Sequence, residues 1–99
     1  MTTAAFDVDG TLIDYEDNPR EDVLSLLRAL QGLGCNIIVW SGGGQHYAEN
    51  WVHNLRRLKM LRGEVTATAK SRDVQVDIAI DDVEVDLGTV NICVGPGGC

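Results

Sequence analysis

Two aspartates stand two residues apart at the end of a short apolar run, residues 3 to 8. They are Asp7 and Asp9, and Gly10 then allows the chain to turn sharply. Carboxylates this close repel each other unless one is protonated or a cation lies between them. A second acidic pair, Asp81-Asp82, ends another apolar run. Oxygen ligands without His or Cys favour Mg²⁺, so these acids are predicted to gather around a magnesium ion.

Three further groups are predicted to complement a metal-bound phosphoryl group. Ser41 ends a β-branched run, residues 36 to 40, and Lys70 follows a later run. A fixed cation and a hydroxyl stabilise the negative charge that spreads over a phosphoryl group during its transfer. The backbone N–H groups of residues 42 to 44, three glycines at the start of a predicted helix, are expected to add an anion-binding nest.

The apolar runs that carry these residues are typical of strands in an α/β fold. Helices between the first three strands require crossover connections, which indicate a parallel sheet, whereas the later connections are too short for full helices. Ligands of such sheets bind beyond the carboxyl ends of the strands, where these polar residues stand. The predicted strands cover residues 3 to 8, 36 to 40, 65 to 69, 76 to 80 and 90 to 94.

Caps and apolar spacing predict the two helices. Asn18-Pro19-Arg20-Glu21 offers a cap, a proline at the first helical position and an acid, so the first helix is expected to begin here and to end at Gly34. Residues 11 to 18 would then form a small hairpin or flap, and the second helix would cover about residues 45 to 61. The buried faces are expected to hold Val23, Leu26, Leu27, Leu30 and Leu33, then Ala48, Trp51, Val52, Leu55 and Leu58.

Length and charge exclude several classes of protein. Ninety-nine residues, 44% of them hydrophobic, suffice for the core of one domain over residues 1 to 99, with a flexible tail at about 95 to 99. A net charge of -7 argues against a general nucleic-acid coat protein and against anionic membranes. No apolar run suits a membrane span or a signal peptide, so a cytoplasmic location is predicted.

The three cysteines are odd in number and lack CxxC spacing. This pattern argues against a disulfide framework and against a zinc site. Cys35 and Cys93 are expected to be small core residues.

Four motifs, in order, resemble those of the haloacid dehalogenase-like (HAD) hydrolases, most of which are phosphatases. Residues 7 to 12, Asp-Val-Asp-Gly-Thr-Leu, resemble the DxDGT(L/V) signature, and residues 38 to 41 resemble the second motif, a hydrophobic strand ending in Ser or Thr. Lys70 resembles the third motif, and residues 77 to 82 resemble the fourth, a strand ending in paired acids. Over residues 4 to 86 the resemblance implies a Rossmann-like three-layer fold whose central parallel sheet has about five strands in the order 3-2-1-4-5.

The resemblance also implies catalytic roles. Asp7 would attack phosphorus and form an aspartyl-phosphate, and Asp9 would act as general acid and then general base. An aspartate at the position of Asp9 favours a phosphatase over a dehalogenase. The residues that would bind the phosphoryl group and its substrate are Gly10, Thr11, Ser41, Gly42 and Lys70.

The metal ligands implied by the resemblance come from two strand ends. Asp7, the backbone carbonyl of Asp9, and Asp81 would hold Mg²⁺. Asp82 or Asp86 would bind a coordinated water, with Asp82 preferred.

A minimal, capless member of the family is expected, because the two gaps in which relatives carry a cap domain are short here. An open site in this family goes with large substrates or with an oligomer that closes the site. The expected partner is a phosphorylated substrate, either a small molecule or a macromolecule. No membrane is expected, nucleic acid is possible but not favoured, and a homo-oligomer is a further possibility.

The alternative function is that of a catalytically weak module that binds metal or phosphate, or another protein. A receiver-type domain fits less well, since Ala69-Lys70 stands where its phosphoacceptor aspartate would be.

Overall fold

A computed structural model describes residues 1–95 and 99 of the chain. All five predicted strands and both predicted helices are present in it, with ends that differ by a few residues. In chain order they are β1 (Thr3–Asp7), α1 (Glu21–Gly32), β2 (Asn36–Ser41), α2 (Gln45–Arg57), β3 (Thr66–Ala69), β4 (Val76–Asp81) and β5 (Gly88–Cys93).

The five strands form one parallel sheet in the order β3-β2-β1-β4-β5, which confirms the predicted α/β class and strand order. β1 lies in the centre, between β2 and β4, and its last four residues are buried. Phe6 of β1 is level with Ile80 of β4, so the residues that follow them, Asp7 and Asp81, come side by side. The parallel sheet therefore brings the acidic ends of two central strands together at one edge.

Both helices pack on the same face of the sheet. Phe6 and Val39 join one core cluster with Leu27 of α1 and Leu55 of α2. The chain moves from β1 to β2 to β3 in one direction, and successive right-handed crossovers in one direction place their helices on one side. The layer on the opposite face of the sheet consists of connecting segments. Three apolar residues of these segments pack against buried residues of the strands: Val74, Val85 and Leu87 against Ala5, Trp40, Val76 and Ala79. The three layers are therefore helices, sheet and connecting segments.

The first helix begins later than its cap pattern predicts. Its N-cap is Arg20, and Asn18 and Pro19 lie before it. Pro19 pairs with Ile13 in an isolated bridge, and the backbone N–H of Asn18 donates to Asp14. These contacts hold the end of the flap in an extended form, and they outweigh the preference of proline for the first helical position. The predicted stop is confirmed, since Gly34 lies just past the helix with a φ of +90°.

Most of the predicted core residues of the helices are buried or partly buried, but two leucines are not. Leu33 is 80% exposed and Leu58 is 54% exposed. Both are C-cap residues, where the chain leaves the helix, and α2 ends at Arg57 rather than near residue 61. Leu24 and Leu61 are buried instead. Neither helix is long and apolar enough to cross a membrane, within the residues described.

Cys93, the last residue of β5, forms a disulfide with Cys99, and their Cα atoms are 5.9 Å apart. This pair corrects the expectation that Cys93 is an ordinary small core residue. A single pair is not the disulfide framework that the odd count argues against. Cys35 is a free, half-buried thiol that packs against the main core. The predicted flexible tail at 95 to 99 lies largely outside the described residues, which omit 96–98.

Arg20 joins two segments at the carboxyl edge of the sheet. Its Nη1 donates to the carbonyl oxygen of Gly10 at 2.9 Å and to that of Val94 at 2.6 Å. Its Nη2 pairs with Asp22 at 3.0 Å. Gly10 follows β1 and Val94 follows β5, so one guanidinium links the loops after two distant strands.

We expect Arg20→Met to lower the free energy of unfolding by about 1–3 kcal/mol, because the carbonyl of the buried Gly10 loses its charged donor. Urea unfolding followed by circular dichroism measures the change. Arg57→Met is the matched control, since Arg57 is exposed at the end of α2, and it should stay within about 0.5 kcal/mol of the wild type. Equal effects of the two substitutions would contradict this role of Arg20.

Candidate functional site

Three aspartates meet at the carboxyl edge of the sheet. Asp7 ends β1, Asp81 ends the neighbouring β4, and Asp82 follows it. Each offers one carboxylate oxygen, and these three oxygens lie within 4.8 Å of one another. Asp7 and Asp81 are buried and Asp82 is half-buried. Three carboxylates in so small a volume could hold a metal ion.

The ammonium group of Lys70 contacts both buried acids. Its Nζ lies 3.0 Å from Oδ1 of Asp7 and 2.7 Å from Oδ2 of Asp81. Lys70 directly follows β3, two strands away from β1, and its backbone N–H donates to the carbonyl oxygen of Ser41 at 2.9 Å. The side chain therefore reaches across the end of β2 to the acids. One positive charge faces three carboxylates, so the cluster carries an excess of negative charge when all are ionised.

The pKa values of the cluster reflect this balance of burial and charge. Burial raises the pKa of Asp7 to about 6; the hydrogen bond from Lys70 acts in the opposite direction, and the charge of Asp81 adds to the rise. Burial alone would lower the pKa of Lys70, but hydrogen bonds to Asp81 and Asp7 outweigh it and raise this pKa. Burial would raise the pKa of Asp82, yet hydrogen bonds, the largest from Tyr15, lower it. Near neutral pH the ammonium of Lys70 is therefore charged and the carboxyl group of Asp82 is ionised. The carboxyl group of Asp7 gains or loses its proton at a pH just below neutrality.

The turn after β1 places Gly10 and Thr11 against the acids. Thr11 is fully buried, and its hydroxyl donates to Oδ2 of Asp7 at 3.3 Å, so it helps to orient Asp7. The binding of substrate by Thr11 stays a prediction. Gly10 has a φ of +77°, and a Cβ atom there would clash with Oδ2 of Asp82 and with the ring of Tyr15. Only glycine suits this backbone and this space. The structure thus shows a role for Gly10 in leaving room for its neighbours.

Ser41 is buried at the end of β2, the strand between β1, which ends in Asp7, and β3, which Lys70 follows. Its Oγ accepts a hydrogen bond from the N–H of Gly43 at 2.9 Å, which leaves the hydroxyl hydrogen available for donation. The N–H of Gly44 donates to the carbonyl oxygen of Ser41 at 3.2 Å. The amides of Gly43 and Gly44 are therefore used within the turn, and the predicted nest over residues 42 to 44 is wrong for these two.

Asp9 is set apart from the other acids. Its carboxylate is not among the three that group together in the described part of the chain. The hydroxyl of Tyr47, in the first turn of α2, donates to Oδ1 of Asp9 at 2.6 Å. Of the four acids predicted to surround a metal, three therefore supply carboxylates to the cluster, and the role of the Asp9 backbone carbonyl stays a prediction.

Tyr15 and Tyr47 are site residues that the sequence analysis did not identify. Tyr15 lies in the flap between β1 and α1, with 72% of its surface exposed, and its hydroxyl donates to Oδ2 of Asp82. These hydrogen bonds raise the pKa of Tyr15 to about 12 and also raise that of Tyr47. The bonded residues are 67 and 38 positions apart, so no local spacing marks them.

Asp86 lies outside the acidic cluster. Its side chain is exposed between β4 and β5, and its carbonyl oxygen is 3.4 Å from Nη1 of Arg72. Of the two candidates to support a metal beside Asp81, the structure places Asp82 next to it.

A surface depression of about 620 Å³ opens beside Lys70 and is lined by Lys70, Ser71, Arg72, Glu84, Val85, Asp86 and Leu87.

No family model, no curated protein and no solved structure matches the chain. The resemblance to HAD hydrolases therefore stands on the four motifs alone. The function has to be argued from the chemistry of the site.

We expect MgCl2 or MnCl2 to raise the midpoint of thermal unfolding, because a bound divalent cation relieves the repulsion among Asp7, Asp81 and Asp82. At about a hundred times the dissociation constant the stabilisation would approach about 2.7 kcal/mol. Asp81→Asn should abolish the rise, and the matched control Asp86→Asn should retain it. Differential scanning fluorimetry measures both. A rise that survives in Asp81→Asn, or that disappears in Asp86→Asn, would place the cation elsewhere.

The pKa of Asp7 predicts a pH dependence of stability in the presence of EDTA. Because this pKa is higher in the folded chain than in the unfolded one, Asp7 stabilises the wild type below about pH 4, and that contribution is lost as the pH rises through about 6. Asp7→Asn does not titrate. Its free energy of unfolding relative to the wild type should therefore increase by about 1–3 kcal/mol from pH 4 to pH 7, measured by urea unfolding. A difference that is flat with pH would contradict the raised pKa.

Proposed function

We propose that this chain is a Mg²⁺-dependent phosphatase, a phosphomonoester hydrolase that acts through an aspartyl-phosphate at Asp7. The observation that carries the proposal is the contact of Lys70 with Asp7 and Asp81 at the carboxyl edge of a parallel sheet. Ligands of open α/β sheets bind at that edge. The motif resemblance to HAD hydrolases, a family with many phosphatases, supports the same reaction.

The donor set of the cluster fits Mg²⁺. Asp7, Asp81 and Asp82 offer hard oxygen ligands, and the cluster contains no His or Cys. When bound, the ion would offset the charge of the carboxylates and of the phosphate, so that an anionic substrate can approach an acidic site. In this proposal Asp7, Asp81 and the carbonyl of Asp9 would hold the ion, and Asp82 would support it through a coordinated water.

Asp7 is the proposed nucleophile. Its carboxylate oxygen attacks phosphorus, the bond to the leaving oxygen breaks, and an aspartyl-phosphate forms. The contacts from Thr11 and Lys70 hold the two carboxylate oxygens in place. Attack of water on phosphorus then releases inorganic phosphate and restores the carboxylate.

The proposed proton donor is Asp9, and the proposed phosphoryl ligands are Ser41 and Lys70. Asp9 protonates the leaving alkoxide in the first step and accepts a proton from water in the second. Since Oγ of Ser41 already accepts from Gly43, its own hydrogen can be donated to a phosphoryl oxygen. The ammonium of Lys70 offsets the charge that develops on the transferred group.

The site is open in the described part of the chain. Residues 8 to 20 separate β1 from α1 and contain only isolated bridges, so no cap domain stands there. An uncovered site admits a phosphate on a macromolecule as well as on a small molecule. The proposal therefore includes a phosphorylated substrate of either kind, with closure of the site by a second subunit as the alternative to a large substrate. It also includes a cytoplasmic location, and the charge of -7 disfavours nucleic acid.

Hydrolysis of 4-nitrophenyl phosphate should require Mg²⁺ and should fall by about a thousandfold or more in Asp7→Asn, because the nucleophile is lost. Asp86→Asn is the matched control, and its rate should stay within about threefold of the wild type. Release of nitrophenolate gives the rates. Turnover that survives Asp7→Asn would contradict the proposed nucleophile. Cation binding without turnover of any phosphomonoester would favour the alternative, a metal- or phosphate-binding module.

A further inference from the structure

Two tyrosine hydroxyls each bind a different acid of the site. Tyr47 donates to Oδ1 of Asp9, and Tyr15 donates to Oδ2 of Asp82. Asp82 belongs to the three-carboxylate cluster, whereas Asp9 does not. The two acids are therefore held in different surroundings by the same kind of group.

We propose that Tyr47 is a positioning residue, which keeps the carboxyl group of Asp9 away from the metal-binding carboxylates and fixes it for proton transfer to the leaving group. The inference rests on the proposed phosphatase activity. It adds the residue that keeps Asp9 available for proton transfer while Asp7, two residues before it, binds the metal and attacks phosphorus.

The ring of Tyr47 is half-buried, between the main core cluster and the turn at Gly43. It packs against the main core cluster from the first turn of α2. A Cβ atom added at Gly43 would lie 3.3 Å from two atoms of the ring, so the glycine turn fits closely against it. Helix α2 therefore sets the position of the hydroxyl, and the hydroxyl sets the position of Oδ1 of Asp9.

Asp9 needs such a partner because of where it stands. It lies two residues after Asp7, in the turn that follows β1. A carboxylate free to turn there would compete for the cation with its neighbours. Among the described residues, the hydroxyl of Tyr47 is its one side-chain hydrogen-bond partner. Oδ2 of Asp9 is left for the reacting groups.

The proton balance assigns no proton transfer to Tyr47. Asp9 gives its proton to the leaving alkoxide as the phosphorus–oxygen bond breaks, and it takes one from the water that attacks the aspartyl-phosphate. Tyr47 donates its hydrogen bond to Oδ1 in both steps. Loss of its hydroxyl should therefore slow reactions that need the proton more than reactions that do not.

Tyr47→Phe and Tyr15→Phe form a matched pair, since each removes one hydroxyl from one acid. We compare kcat/KM for an alkyl phosphate, whose leaving alkoxide needs a proton, with that for 4-nitrophenyl phosphate, whose leaving group does not. Tyr47→Phe should lower the value about tenfold or more for the alkyl ester and less than about threefold for the nitrophenyl ester. Tyr15→Phe should leave the ratio of the two values unchanged and should shift the Mg²⁺ concentration that half-saturates thermal stabilisation.

Three further results belong to the same experiment. The half-saturating Mg²⁺ concentration of Tyr47→Phe should stay within about twofold of the wild type, and Tyr47→Phe added to Asp9→Asn should cause no further change in the ratio. Gly43→Ala places a Cβ atom 3.3 Å from the ring of Tyr47 and 3.3 Å from Oγ of Ser41. It should therefore lower kcat/KM for both esters through Ser41 and lower it further for the alkyl ester through Tyr47, and it serves if Tyr47→Phe does not fold. Equal losses on both esters would overturn the inference and leave the phosphatase proposal standing. Absence of Mg²⁺-dependent hydrolysis by the wild type would overturn both.

Discussion

The contact of Lys70 with Asp7 and Asp81 is the interaction on which the site depends. Two carboxylates are buried here, and buried charges are costly unless they are paired. The ammonium lies within 3.0 Å of both, so it offsets part of the repulsion that would otherwise push the ends of β1 and β4 apart. Because Lys70 comes from the end of β3, this pairing also requires the strand order that the sheet adopts.

The same topology decides which other groups reach the acids. With both crossovers running in one direction, the helices share one face, and the first turn of α2 comes to the carboxyl edge with Tyr47. The flap between β1 and α1 brings Tyr15 to the edge as well. Central strands thus supply the acids, while a helix start and a flap supply the hydroxyls that hold them.

The sequence predicts the strands and the acids well, because both depend on local pattern. Apolar runs that end in acids identify β1 and β4, and a parallel sheet then brings those ends together, so Asp7 and Asp81 are found without knowledge of any contact. The later start of α1 and the contacts of Tyr15 and Tyr47 could not be predicted in this way. They arise from packing between distant segments, as with Pro19, whose bridge to Ile13 overrides its helix-starting preference.

The claim that Asp7 carries the phosphoryl group is tested most directly by trapping the intermediate. Asp9→Asn lacks the base of the second step, so the aspartyl-phosphate should accumulate with Mg²⁺ and 4-nitrophenyl phosphate. Quenching in borohydride reduces an acyl phosphate to an alcohol, and peptide mass spectrometry locates the product. The account predicts homoserine at position 7; turnover with an unmodified Asp7, or with the modification at another residue, would contradict it.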